Sequence, residues 1–396
     1  MKRNRILLFT LATLMIATSA LTSCERTNAD KVDVTFDLNY EGSPMSKVVP
    51  VEKGKRVPKP ETPVHTVDPS ITFKYWSTSK LGEEFIFITP INDDIVLYAQ
   101  WSNMSTRDEK FDELHAELKA DHEFRRDYNS NGWKWLALLD RDWELSPQQP
   151  GEVIATSGAS WKESGIWVRP LYTNSPIYIS TGINNGGQYK YKDPASGEEK
   201  TGNFGGGRQF DREHVFPKSY GFEESTSRND KVYSDLHNLH MAEGPQGNQY
   251  GHNNYFYANV ANKTASTEVK DPFTNTQNGW RGPSTNGYIF EPADADKGDI
   301  ARTIFYMATR YRKYDAAARE PALRLTSDIA KNRKTTSLTS TATGPAEYGL
   351  LSDLLEWHKN DPVDNFEIRR NELAKIIQGN RNPFVEEPEL AEFLFA

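Results

Sequence analysis

The segments REHVFPKSYGF at residues 212–222, SDLHNLHMAEGPQGNQ at 234–249 and the overlapping AEGPQGNQYGHNNYF at 242–256 decide how this chain reads. Glu213 and His214 are neighbours, so a continuous strand would send them to opposite faces. Pro217 cannot continue a central strand, which puts the pair at a strand end or bulge where both can serve one site. A loop then leads to a second strand by the Asp235-Leu236-His237-Asn238 motif, and Asn248 falls at the start of a short helix crossing beneath the strands. Of the eight histidines, His214, His237, His240 and His252 lie here, beside Asn238, Asn248, Asn253 and Asn254. Such a concentration of titratable and amide side chains is a candidate hydrolytic site.

Histidine titrates near neutral pH, and Glu213 with an amide-bearing Asn offers hard oxygen ligands to a small divalent cation. Phosphodiester hydrolysis requires a deprotonated water, neutralisation of charge on the phosphorane and stabilisation of the leaving alkoxide. His214 as general base and one Mg²⁺ held by Glu213 and an Asn cover all three. Two protein ligands suffice because Mg²⁺ keeps several waters and also takes phosphate oxygen. Ca²⁺ and Mn²⁺ are the alternative ions.

The amino terminus carries a different signal. Lys2, Arg3 and Arg5 precede an apolar run from Ile6 to Ala17, too short to cross a bilayer, and Leu21-Thr22-Ser23-Cys24 follows. This is a signal peptide over residues 1–23, and its end resembles a bacterial lipobox in which Cys24 is lipidated, with residues 24–31 as a tether. Cys24 is the only cysteine, so no disulfide is expected within the mature chain. Removing residues 1–23 takes away three cations and moves the formal charge from −8 to about −11. That sign argues against broad electrostatic capture of nucleic acid, so a polyanion must be gripped by a local patch or through metal. The expected location is the cell envelope, at the outer membrane or cell surface, with the membrane reached through Cys24.

At 396 residues two domains are the default. Residues 32–102 read as short strands: Val32, Val34 and Phe36 alternate, Val48 to Val51 are apolar, and Phe73, Tyr75, Trp76 and Ile95, Leu97, Tyr98 follow. A second domain over 105–396 opens with a Thr106–Glu109 capping box and Phe111, Leu114 and Leu118 on one helical face. A helix is expected around Trp133–Leu139, one after Asp299 with Ile300, Ile304, Met307, Ala308 and Tyr311 inward, and one over Leu350–Lys359. Another runs from Phe366 to Ile377, starting at Asp364 with Glu367 in capping-box position and stopping near Gly379. Residues 150–207 are irregular, with β-like runs such as Ile177-Tyr178-Ile179, and Lys334–Gly344 reads as a low-complexity loop. The fold class expected is α+β.

Two resemblances sharpen this. VTFDLNYEG at 34–42, KYWSTS at 74–79 and ITPINDDIVLYAQWS at 88–102 resemble the internalin-type B repeat, which implies a small β-grasp-like surface module acting as spacer or adhesion element. Its pattern departs where Tyr75 replaces the Gly usually found before the Trp. The 212–222 and 234–249 blocks, with FEPADADKGDIARTIFYMATRY at 290–311 and LLEWHKNDPVDNFEIRRNELAKIIQGNRNPF at 354–384, resemble the endonuclease I family of secreted nucleases. That resemblance implies a mixed, helix-rich domain with a ββα-metal, or His-Me finger, active site. It implies metal-dependent, largely sequence-non-specific cleavage of DNA, and often RNA, to 5′-phosphate ends. By the same resemblance Glu213 matches the metal-ligating Glu, His214 the general base and Arg228 the arginine holding the scissile phosphate. Asn248 best matches the second ligand after a one-residue shift from Gly247, with Asn253 in reserve. His237 and Asn238 are read as scaffolding and Asp235 as a cap or backbone anchor. Glu291, Arg302, His358, Arg370, Asn380 and Arg381 also match family positions, in packing or in a groove, and Glu386-Glu387-Pro388 departs from the usual Asp-His pair.

Two other classes compete. One is a surface adhesion or nucleic-acid-binding lipoprotein whose nuclease-like body has lost activity. The other is a zinc hydrolase, against which stands the lack of an HExxH motif or Cys pair.

Overall fold

The computed structural model describes residues 31–102, 106–124, 132–148, 152, 165–173, 175–181, 188–194, 196–203, 210–220, 222, 230–243, 255–271, 273–284, 287–328 and 346–396. The chain divides into two compact units, one covering Glu84–Gln100 and the chain up to Thr78, the other Ser79–Glu83 and Trp101–Ala396.

The first unit is a four-stranded sheet in which Lys31–Asp37 lies between Lys47–Glu52 and Ile95–Trp101, with Phe73–Ser77 outermost. Its first strand runs antiparallel to the second and parallel to the last. The alternation foreseen at Val32, Val34 and Phe36 holds: all three point into the core. Pro50 sits in the outer strand opposite Asp33, a place where its missing N–H costs no interior ladder bond.

In the second unit the capping box at Thr106 forms as expected, with Glu109 N–H on the Thr106 hydroxyl and Glu109 reaching back to Thr106 N–H, and it opens the helix Arg107–Asp121. A short apolar helix, Gly132–Leu139, follows. The irregular stretch resolves into an antiparallel meander of Ile166–Val168, Ile177–Thr181, Gln188–Lys192 and Glu199–Asn203. The strand at Ile177-Tyr178-Ile179 answers the β-like run read there, while the others were not placed because polar and glycine residues dilute the alternation; among the described residues Ile166, Val168, Ile177, Ile179 and Tyr191 face the core.

The helix foreseen after Asp299 begins more than a turn and a half earlier, Asp294–Arg310, and is buried from Ile300 to Arg310. A helix enclosed on every side must neutralise its own charges. Arg310 does so against Glu320 at 2.6 and 3.0 Å, and Arg302 is paired twice by Glu367. Gly298 permits the close approach of the Asp361 turn, since a Cβ there would lie 2.1 Å from the Asp361 carbonyl. The helices Leu351–Asn360 and Asn365–Gln378 follow the expected bounds closely, and the second shows its capping box at Asp364. It ends at Gly379, whose φ of 113° lets the chain turn against Asp121. The Lys334–Gly344 loop lies outside the described residues. No helix among the described residues is long and apolar enough to cross a membrane.

Candidate active site

The strand Phe210–His214 pairs antiparallel with Leu239–Glu243, placing Leu239 opposite His214 and His240 opposite Glu213. His214 is the last residue of its strand, as the reading of Pro217 required. The ladder does not simply stop there. Val215 N–H donates to the Asn238 carbonyl at 3.0 Å. The Asn238 side chain then stands in for a strand residue: Oδ1 accepts from Phe216 N–H at 2.6 Å and Nδ2 donates to the Phe216 carbonyl at 3.1 Å. Both polar groups of Phe216 are thereby satisfied in the interior before Pro217 turns the chain.

Asp235 organises the return. Its backbone carbonyl accepts from Asn238 and Leu239 N–H, each at 3.1 Å, and Oδ1 accepts from His237 N–H at 3.0 Å. Oδ2 accepts from the hydroxyls of Tyr306 at 3.0 Å and Tyr311 at 2.8 Å. Burial raises the Asp235 pKa, but His122, His237 and the hydrogen bonds from Gln378 and Tyr311 outweigh it and hold the group below its ordinary value. His237 Nε2 meets the Asn380 carbonyl at 3.1 Å, and burial pushes its pKa down to about 4, so the ring is neutral. The geometry of Asp235, His237 and Asn238 is that of an anchored loop, the scaffolding role expected for them.

His214 is buried, with Nε2 at 2.8 Å from the Tyr233 carbonyl. A carbonyl only accepts, so Nε2 carries a proton, and in the neutral ring Nδ1 is the nitrogen that holds the lone pair. Edge contacts with Tyr233 and Phe222, at centroid distances of 4.8 and 5.7 Å, hold the ring's orientation. Glu213 is fully buried. Its neighbourhood contains the phenols of Tyr172, Tyr257 and Tyr348, which burial first and nearby charge including that of Glu213 push well above the ordinary tyrosine value. These phenols therefore stay protonated beside the carboxylate.

Behind the second strand lies a clamp that sequence reading missed. Asp140, fully buried at the end of the Gly132–Leu139 helix, accepts Met241 N–H at 2.6 Å and Arg370 Nε at 2.9 Å. Arg370 also donates to the Leu239 carbonyl, so the pair holds the strand residues opposite Arg212 and His214. The only sequence signal was a carboxylate directly after Leu138-Leu139 in an otherwise apolar run. Burial raises the Asp140 pKa while Arg370 opposes the rise, and burial, with Arg370 adding, keeps His240 well below its ordinary value.

Other family positions do packing work. Glu291 accepts from Val260 N–H at 2.8 Å and from Lys263 and Lys297 at 2.7 Å each. His358 Nε2 meets the Pro388 carbonyl at 2.8 Å, Asn380 Nδ2 donates to the Tyr306 hydroxyl at 2.7 Å, and Arg381 pairs with Glu372 at 2.8 Å. Of the expected site residues, Glu213 and His214 are described, as buried neighbours at the end of one strand; Arg228, Asn248, Asn253 and Cys24 lie outside the described residues.

The chain belongs to the Endonuclease I family, whose profile matches residues 144–389 and so spans this strand pair and its return. The amino-terminal unit matches the Listeria-Bacteroides repeat domain over residues 33–100. Among individual proteins, the chain is similar to an extracellular ribonuclease of Bacillus subtilis (strain 168), 36% identical over 200 residues, covering 49% of this chain and 58% of the relative. It is also similar to an extracellular ribonuclease of Bacillus amyloliquefaciens, 35% identical over 196 residues, covering 49% of this chain and 56% of that relative. Each match thus spans little more than half of the relative's length.

Proposed function

We propose that the chain is an exported, divalent-metal-dependent endonuclease with a ββα-metal (His-Me finger) site, hydrolysing DNA and RNA with little sequence preference to 5′-phosphate products. The observation that carries this reading is the His214 ring, whose Nε2 is committed to the Tyr233 carbonyl so that Nδ1 is the basic nitrogen, one residue from a fully buried carboxylate. Nδ1 takes the proton of the attacking water, and the fixed ring lowers the reorganisation that step requires. The oxygen donors fit Mg²⁺, Mn²⁺ or Ca²⁺ better than zinc, and a carboxylate out of solvent is stabilised by a nearby cation. Glu213 and Asn248, with Asn253 in reserve, are the residues that would hold the ion; when bound it would supply charge neutralisation at the scissile phosphate and the leaving oxygen. Arg228 would grip the same phosphate. RNA enters the substrate class on the names of the two Bacillus relatives, DNA on the family resemblance.

Cys24, lipidated after removal of residues 1–23, would tether the domain over 105–396 to the cell envelope, with 24–31 as linker and the repeat over 32–102, of internalin B-repeat type and β-grasp-like, as a spacer. The test is cleavage of plasmid DNA and of single-stranded RNA by the mature chain in Mg²⁺, Mn²⁺ and Ca²⁺, with and without EDTA. Metal-dependent cleavage is expected, lost in His214→Ala with an unchanged circular-dichroism spectrum. Intact substrate in all three ions would overturn the reading.

A further inference from the structure

The meander of Ile166–Val168, Ile177–Thr181, Gln188–Lys192 and Glu199–Asn203 has two unlike faces. Ile166, Val168, Ile177, Ile179 and Tyr191 are buried, and the strand period of two sends the residues between them to the other side. There Trp167 and Tyr178 are half-buried, and Lys190, Lys192, Glu199 and Thr201 are exposed. Register sets these residues in a row: Trp167 lies opposite Tyr178, Tyr178 opposite Lys192, and Lys192 opposite Glu199. Directly opposed residues share a face, so the row crosses all four strands.

The row changes character along its length. The Trp167 and Tyr178 rings are 5.3 Å apart and tilted by 57°, so neither is stacked on the other. The Lys192 ammonium lies 5.5 Å from the centre of the Tyr178 ring, while Lys190 and the Ser180 hydroxyl both take Glu199, at 2.9 Å each. At this end two lysines meet one carboxylate, in a chain whose net charge is −8. Beyond Trp167 the sign reverses: Asp142 holds Arg169 at 2.9 Å and Asp364 approaches it at 4.0 Å. An anion on this face is therefore favoured at the lysine end. The first strand of the sheet also leads to the hydrolytic site. Leu171 N–H donates to the Met241 carbonyl at 2.7 Å, and Leu171 bridges Ala242 in parallel, on the strand that pairs with the Glu213 strand. Three residues separate Val168 from Leu171, which limits the gap between the row and that strand's backbone partner to about 11 Å of chain.

We propose that this sheet face is a docking surface for single-stranded nucleic acid, with a base stacked on Trp167 beside Tyr178 and the backbone phosphates at Lys190 and Lys192. Aromatic faces next to cationic side chains are the two components that sequence-tolerant single-strand recognition combines. Bases in a duplex are stacked on one another and present no face to the rings. The inference rests on the reading of the chain as a nuclease and adds where its substrate is held away from Glu213 and His214.

The experiment is fluorescence anisotropy of a labelled oligothymidylate, and of its duplex with oligodeoxyadenylate, binding to the mature chain, Trp167→Ala, Trp167→Phe and Lys192→Gln. EDTA in the buffer prevents metal-dependent cleavage and keeps the metal site out of the measurement. Trp167→Ala is expected to weaken single-strand binding about tenfold, and Trp167→Phe to recover most of that loss because a ring face remains. Lys192→Gln is expected to weaken it and to reduce the slope of log affinity against log salt by about 0.7, the loss of one phosphate contact. The duplex is expected to bind more weakly and to ignore Trp167→Ala. A cross-strand pair that only holds the sheet together would lower the melting temperature of Trp167→Ala and leave its affinity within about twofold of the parent, which would overturn the proposal. Equal affinity for duplex and single strand, or no binding in EDTA, would overturn it too. If Trp167→Ala does not fold, the salt slope of Lys192→Gln decides. Cleavage assayed separately in Mg²⁺ keeps the two readings apart: a parent that binds the single strand and cleaves nothing overturns the nuclease reading, whereas cleavage with unchanged binding by Trp167→Ala overturns the docking surface alone.

Discussion

Replacing Asn238 by Ala tests whether this residue works as a strand surrogate. The side chain makes hydrogen bonds of 2.6 and 3.1 Å to the two backbone polar groups of Phe216, and both Asn238 and Phe216 are fully buried. Truncation leaves a buried N–H and a buried carbonyl unsatisfied, at about 1–3 kcal/mol each. A total loss of about 2–6 kcal/mol is therefore expected, a large fraction of ordinary domain stability. Urea unfolding followed by the far-ultraviolet helical signal is the assay, because the described helices all lie in the second unit. Asn238→Asp sharpens it: the acceptor for Phe216 N–H survives, but an oxygen replaces the donor facing the Phe216 carbonyl. That variant is expected to be as unstable as Asn238→Ala at neutral pH and to recover relative to it in acid, where the protonated carboxyl can donate again. A loss below about 1 kcal/mol for Asn238→Ala would refute the reasoning, since it lies under the cost of even one orphaned group.

Two further outcomes follow from the buried charges. Arg370→Ala strands Asp140 and the Leu239 carbonyl, and breaking a buried pair in this way is expected to destabilise by about 3–5 kcal/mol, read as a lower melting temperature; a melting temperature unchanged from the parent would show that the clamp carries no stability. Acid should weaken the fold through His237 and His122, whose folded pKa values are pushed by burial down to about 4 and about 3 from 6.5. The approach of His122 to Asp235 at 3.6 Å opposes this shift but does not overcome burial. Because the unfolded chain binds protons that the folded one refuses, their contribution is complete above pH 6.5 and is lost as pH falls towards the folded values. His237 alone accounts for about 3 kcal/mol across that window. Urea midpoints measured from pH 7 to pH 4 check it, and a flat profile in that range would contradict the assignment of both rings as neutral.

Local rules carried far in this chain. The capping boxes at Thr106 and Asp364, the left-handed stop at Gly379 and the inward row Val32, Val34, Phe36 depend on residues a few positions apart, and each forms where the pattern puts it. Pro217 and the adjacency of Glu213 and His214 were enough to require a strand end, because proline's missing N–H and the two-residue strand period are properties of the backbone itself. The helix after Pro292 was placed late because Asp294 to Lys297 lack the apolar spacing that marked Ile300 onward.

By itself, then, the sequence marked the Glu213–His214 pair and the capped or strongly periodic elements, since propensity, capping and periodicity act over one or two turns. Only the tertiary structure decided which nitrogen of His214 is basic, because the carbonyl that claims Nε2 belongs to Tyr233. It alone joined Asp140 to Arg370, which lie 230 residues apart, and Tyr172 to Tyr257, which lie 85 apart. Such pairings arise from desolvation: once buried, a charge or hydroxyl must find a partner, and the partner is whichever group the fold brings within reach, at any distance along the chain.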